Sequence, residues 1–126
     1  MVEQKAVTLQ VAGTLLFVAG LALAEWAVVS NRFYSGVVRI QRDRGHVVVS
    51  TGPYRHIRHP GYVGGLLAMV GLPLLLGSWT MLIAATLPMG VSVLRTTRED
   101  RTLREELEGY EEYTGRVRYR LIPGLW

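Results

Sequence analysis

The stretch from Gly61 to Leu94 reads GYVGGLLAMVGLPLLLGSWTMLIAATLPMGVSVL and holds no charged residue. Two sixteen-residue apolar runs, Gly61–Leu76 and Trp79–Leu94, are separated only by Gly77-Ser78. Two apolar helices joined by a two-residue turn make a helical hairpin. Each run is slightly short for a bilayer core, which takes about 20 residues of helix. Pro73 and Pro88 lie inside the runs; membrane helices accept proline because neighbouring groups satisfy the freed carbonyls. The alternative is a buried hairpin in a soluble bundle. It has to contend with the absence of a polar face on either helix.

Upstream, Ala6–Ala24 (AVTLQVAGTLLFVAGLALA) is again free of charge. Nineteen helical residues reach about 28 Å, close to the hydrocarbon thickness of about 30 Å. Glu25 and Trp26 follow where an interfacial indole belongs. A signal peptide is the rival reading; against it stand a long apolar run and a charged start made only of Glu3 and Lys5. The composition agrees with a membrane chain. Of 126 residues, 49% are hydrophobic and 19% charged, against about 25% charge in ordinary soluble domains. Mean hydropathy is +0.22. Disorder is excluded by the apolar content. The lack of cysteine excludes a disulfide scaffold, thiol nucleophiles and thiolate metal sites. No run of strand–helix alternation suggests a Rossmann-type enzyme.

The net charge of +4 is explained by where the arginines sit. Six fall in the Gly/Pro-punctuated section 30–60 and seven between Arg95 and Arg120. A hairpin between these sections puts both on one side of the membrane, which the positive-inside rule makes cytoplasmic. A nucleic-acid interface is not expected, since the basic residues flank apolar spans. Section 30–60 reads as a structured loop with a short extended piece at Val47–Val49. Arg95–Tyr113 reads as one amphipathic helix, with Leu103, Leu107 and Tyr110 on its apolar side and Gly115 ending it.

That topology brings GPYRHIRHPGY (Gly52–Tyr62) against RTTRED (Arg95–Asp100) at one membrane face. Arg95 and Glu99 are four apart and share a helix face. A cation and a carboxylate directed together at a loop of His, Tyr and Gly suit a zwitterionic ligand; an ordinary surface salt bridge is the alternative. His46, His56 and His59 also admit a zinc reading, disfavoured by the absent cysteines and the interleaved Arg55 and Arg58.

The run GPYRHIRHPGYVGG, then RTTREDRTL, then GYEEYTGRVRYRLIPGLW resembles the isoprenylcysteine carboxyl methyltransferase family, which belongs with the phospholipid methyltransferases. VVRIQRDRGHVVV is similar to the bacterial branch. The resemblance covers Asn31 to Trp126. It implies an integral membrane enzyme that uses S-adenosyl-L-methionine. His46, Val49, Tyr54, His59, Pro60, Gly61 and Tyr62 match cofactor-holding positions, with Gln41 a weaker match. Glu99 matches the glutamate that holds the cofactor, and Arg95 the arginine facing the methyl acceptor; these two are the expected catalytic residues, and no metal is expected. The family's second glutamate is Asp100 here. The resemblance further implies helices upstream of Ala6, so the chain is a minimal member, a fragment, or one completed by partner chains or by copies of itself.

The expectation is therefore an all-α integral membrane bundle forming one methyltransferase domain over 1–126. Its parts are spans at 6–29, 61–76 and 79–94, a cofactor-binding loop at 30–60, and a cytoplasmic helix and tail at 95–126. It would sit in the inner or plasma membrane with the site facing the cytoplasm. The expected reaction is methyl transfer to a lipophilic or lipid-modified acceptor among membrane lipids. A carboxylate acceptor arrives ionised and needs only Arg95. An amine, with an ordinary pKa of about 10.4, would repel Arg95 and need a base. Carboxyl methylation is therefore favoured; phospholipid amine methylation and a non-catalytic membrane subunit are the alternatives.

Overall fold

The computed structural model describes the whole chain, Met1–Trp126. It contains four α-helices and no strand: α1 (Val2–Ser30), α2 (Pro60–Leu75), α3 (Trp79–Glu106) and α4 (Tyr110–Arg116). Short 3-10 turns occupy Arg42–Arg44 and Gly52–Arg55.

α1 is long because nothing in its apolar run breaks it. Its two threonines turn inward on the helix, Thr8 and Thr14 donating to the carbonyls of Gln4 and Gln10, each at 2.8 Å. Their hydroxyls therefore need no water. α2 runs back along α1, and the seam is made of glycine. A β-carbon on Gly20 would lie 2.7 Å from the Ala68 nitrogen, and one on Gly64 2.6 Å from the Ala24 nitrogen. Gly13 and Gly71 make the same approach one heptad away, with a β-carbon on Gly71 reaching 2.7 Å from the Gly13 carbonyl oxygen. Small residues at this spacing let two backbones touch, which is how helices associate where the hydrophobic effect is weak.

The α2–α3 hairpin turns at Leu76–Ser78. Gly77 takes φ +66, a left-handed conformation that glycine adopts without strain. The Ser78 hydroxyl caps α3 by accepting from the Met81 nitrogen at 3.2 Å. α1 and α3 are long and apolar enough to cross a membrane, and α2 is a shorter apolar helix. α3 is packed far more lightly than the α1–α2 pair: Ile83 and Leu87 are 73% and 75% exposed.

A second, separate core lies past the apolar helices. Leu107, Tyr110, Tyr113 and Val117 are buried together, with Ile40, Val48 and Leu103 against them. It fastens the 31–59 section to the C-terminal segment. The Tyr113 hydroxyl donates to the Tyr54 carbonyl at 2.6 Å. The Arg58 and His59 nitrogens donate to the carbonyls of Tyr119 and Arg120 at 2.9 and 3.0 Å.

Two local expectations are corrected. Arg95–Tyr113 is not one helix. Arg95–Glu106 continues α3 without a break, and the chain then turns at Gly109, φ +84, before α4 begins. Gly115 lies inside α4 rather than at its end. Val47–Val49 pairs with no strand, and Val48 packs onto the tyrosine core.

Candidate active site

A cavity of about 900 Å³, its open mouth included, lies where the 31–59 section, the start of α2 and the C-terminal half of α3 converge. His46, Val49, Tyr54, His59, Gly61, Tyr62, Arg95 and Glu99 all line it. Gln41 and Pro60 do not. Gln41 is buried behind the wall, where its amide donates to the Phe33 carbonyl at 2.7 Å and its carbonyl accepts from Arg44 at 2.6 Å. Pro60 opens α2 at the first helical position, where its missing N–H costs nothing.

The adjacent carboxylates Glu99 and Asp100 have different surroundings. One helical step turns a side chain by about 100°. Glu99 faces the cavity and accepts from the Tyr62 hydroxyl at 2.8 Å. Asp100 faces inward and is 1% exposed. It meets His59 Nε2 at 3.0 Å, the Tyr110 hydroxyl at 3.1 Å, Arg120 Nε at 3.2 Å and Arg58 Nε at 3.4 Å. Burial alone would raise its pKa. The His59 hydrogen bond and the charges of His59 and Arg58 outweigh burial and hold the carboxyl at about 2. The sequence offered no sign that Asp100 would be a structural hub rather than a second ligand.

Arg95 and Glu99 share the cavity without forming an ion pair. Arg95 reaches across to donate to the Gly36 carbonyl. Glu99 has no cationic partner, whereas Asp100 pairs with Arg58, His59, Arg104 and Arg120. The surface salt bridge weighed above is not what the helix makes.

His46 Nδ1 accepts from the Gln41 nitrogen at 3.0 Å, and its ring stacks on Phe33 at 4.4 Å. Burial, then the charges of Arg39 and Arg44, pull its pKa below the ordinary histidine value. The ring is therefore neutral at pH 7, with its proton on Nε2. Burial pushes the Tyr54 phenol up to about 12, so it too stays protonated. Tyr34 was not anticipated. It lines the cavity and lies over Gly61, where a β-carbon would meet its hydroxyl at 2.7 Å. A lone aromatic in an irregular loop carries no pattern by which to find it. Arg58 and the core tyrosines Tyr110 and Tyr113 complete the inner wall.

Residues 8–108 match the family model described as phospholipid methyltransferase. Over 92 residues the chain is 32% identical to the protein-S-isoprenylcysteine O-methyltransferase of Schizosaccharomyces pombe, covering 71% of this chain and 39% of that one. Over 108 residues it is 30% identical to a probable protein-S-isoprenylcysteine O-methyltransferase of Oryza sativa subsp. indica, covering 83% of this chain and 56% of that one. The solved structure of the eukaryotic intramembrane Ras methyltransferase ICMT (isoprenylcysteine carboxyl methyltransferase) superposes with a TM-score of 0.78 at 26% identity, over 93% of this chain and 43% of that one. The chain thus spans between 39% and 56% of the length of these curated relatives.

Proposed function

We propose that this chain, which belongs to the phospholipid methyltransferase family, moves a methyl group from S-adenosyl-L-methionine to a carboxylate of a lipophilic acceptor at a membrane face. One observation carries the reading: Glu99 and Arg95 line one cavity as an anion and a cation that do not neutralise each other. A salt bridge would have spent both. Kept apart, they suit a donor bearing an ammonium and an acceptor bearing a carboxylate.

The residues present fit the donor. Glu99 meets the donor's ammonium through a charge-assisted hydrogen bond, with Tyr62 fixing the carboxylate's orientation. His46, Val49, Tyr54 and Gly61 form the walls. His59 contributes its ring while Asp100 holds Nε2. Gln41 and Pro60 act from behind, by shaping the loop and starting α2. Bound S-adenosyl-L-methionine supplies a methyl group already activated on sulfur. Arg95 exchanges the Gly36 carbonyl for the acceptor's carboxylate, a stronger partner because it is charged, and can grip it with two parallel N–H groups. The chain's contribution to rate is alignment, worth as much as about 7–11 kcal/mol.

Membrane placement follows the same reading. α1 and α3 cross, and α2 is the third span, short but continuous with the turn at Gly77. The two arginine-rich sections then share the cytoplasmic face of the inner or plasma membrane, and the acceptor's apolar tail lies among the helices. The relatives' names refer to isoprenylcysteine, a lipid-modified acceptor of this kind. Calorimetry with S-adenosyl-L-methionine on the detergent-held chain tests the donor; no saturable binding at millimolar concentration refutes the reading. Labelling of Thr51→Cys and Ser78→Cys tests the hairpin and is clean because the chain has no cysteine. The two should react from opposite sides. For the acceptor, turnover at saturating donor should be nearly flat from about pH 6 to 8, since a carboxylate is ionised throughout. A tenfold rise per pH unit with a base-stable product would mean an amine instead.

A further inference from the structure

Five of the chain's six tyrosines line this one cavity. Three of them gather where Glu99 stands. Tyr62 donates to the Glu99 carboxylate at 2.8 Å. Tyr34 lies across Gly61, the residue before Tyr62, so closely that a β-carbon there would be 2.6 Å from its ring carbon Cε2. Tyr54 is 8% exposed and forms the wall beside them. Arg95 donates to the Gly36 carbonyl rather than pairing with Glu99, although its charge still reaches Tyr34.

Neutral aromatic rings around a carboxylate form an environment for an onium cation. The negative face of each ring attracts positive charge, and rings hold weakly hydrated cations such as sulfonium and quaternary ammonium well. The phenols stay protonated and add no competing charge of their own: burial pushes Tyr54 up to about 12, and burial and Glu99 raise Tyr34.

We propose that Tyr34, Tyr54 and Tyr62, grouped at Glu99, recognise the positive charge on the donor's sulfur, so that the site retains the sulfonium donor and releases its uncharged thioether product. The proposal rests on the methyl-transfer reading above. In the transfer, an acceptor carboxylate oxygen supplies the electron pair for the new O–CH₃ bond. The S–CH₃ bond breaks and its pair stays on sulfur. Sulfonium and carboxylate thereby become thioether and ester, both neutral. The cation–ring attraction fades along this path. It therefore strengthens donor binding and clears product without lowering the chemical barrier, because only interactions stronger in the transition state do that.

The space above it is filled by the Tyr34 ring, so the glycine is required to seat that ring.

The test is calorimetry on the full chain in detergent, with S-adenosylmethionine and S-adenosylhomocysteine as probes, for the unmodified protein and for Tyr34→Leu and Tyr34→Phe. Tyr34 is 45% exposed, and helical circular dichroism checks that each variant folds. The unmodified protein should prefer the sulfonium by roughly tenfold. Tyr34→Leu should weaken the sulfonium several-fold and leave the thioether unchanged, and Tyr34→Phe should restore the preference. In turnover, Tyr34→Leu should raise the donor KM and spare kcat. Equal affinity for the two probes in the unmodified protein, or equal weakening of both by Tyr34→Leu, overturns the proposal while leaving the donor site standing. Binding of neither probe overturns the donor reading and this inference with it.

Discussion

His59 Nε2 stands 3.0 Å from Asp100 Oδ1, and both side chains are almost sealed from solvent. The pair joins the segment just before α2 to the C-terminal part of α3, and the Arg58, Arg120 and Tyr110 contacts converge on the same carboxylate. Removing one partner of such a buried cluster leaves the others uncompensated, at a cost of about 3–5 kcal/mol. Asp100→Asn should therefore lower the thermal midpoint in detergent sharply, whereas Glu99→Gln, one residue away on the cavity side, should leave it nearly unchanged. Equal midpoints for the two variants would refute the division between hub and site.

The same carboxylate sets an acid limit. Its folded pKa of about 2 lies below the unfolded value of about 3.9. Between these values the unfolded chain binds more protons, so stability rises with pH across that window. Asp100's contribution is fully present above about pH 4 and is lost as pH falls toward 2. Unfolding midpoints followed from pH 5 to pH 2 should fall for the unmodified chain, and Asp100→Asn should flatten part of that slope.

Gly64 and Gly65 are neighbours with opposite sensitivity. A β-carbon on Gly64 would lie 2.6 Å from the Ala24 backbone nitrogen, while one on Gly65 meets nothing within 4 Å. Gly64→Ala must spread α1 from α2, at a cost of about 1–3 kcal/mol. Gly65→Ala should be neutral or slightly stabilising, because alanine is the better helix former. Thermal stability of the two variants side by side decides it.

Glu99 and Arg95 should separate kinetically. Glu99→Gln removes the unpaired anion and should weaken donor binding about tenfold, the scale of one charge-assisted hydrogen bond. Arg95→Gln should largely spare donor binding and reduce turnover. Calorimetry and initial rates on both variants test this; matched losses of donor affinity would refute the assigned partners.

The hairpin and the long first helix were legible because uninterrupted apolar runs leave few alternatives. The seam was half visible. Gly13 and Gly20, and Gly64 and Gly71, each stand seven apart, but small residues are abundant here and only the antiparallel register pairs these four. The break between α3 and α4 had its signal in Gly109, which leucine periodicity outweighed. At the site, the candidate cofactor-binding and catalytic residues line one cavity apart from Gln41 and Pro60. What sequence could not supply was direction. Neighbouring carboxylates on a helix differ by about 100°, and chemistry alone does not say which one turns inward.

α3 is unbroken from Trp79 to Glu106, so it has no joint between its lipid-matching half and its reacting half. Glu99 lies five positions beyond Leu94, the end of the apolar run, a rise of about 8 Å. On the proposed membrane placement, the depth at which Trp79–Leu94 settles sets the height of Arg95 and Glu99 relative to the headgroups. α2 carries Tyr62 on a shorter apolar helix, whose best depth differs. A thicker or thinner bilayer shifts the two helices unequally, at fractions of a kcal/mol per ångström of mismatch, and strains the single hydrogen bond between Tyr62 and Glu99. On the proposed placement and reaction, lipid chain length becomes a variable of the chemistry, acting through one continuous helix rather than through any ligand.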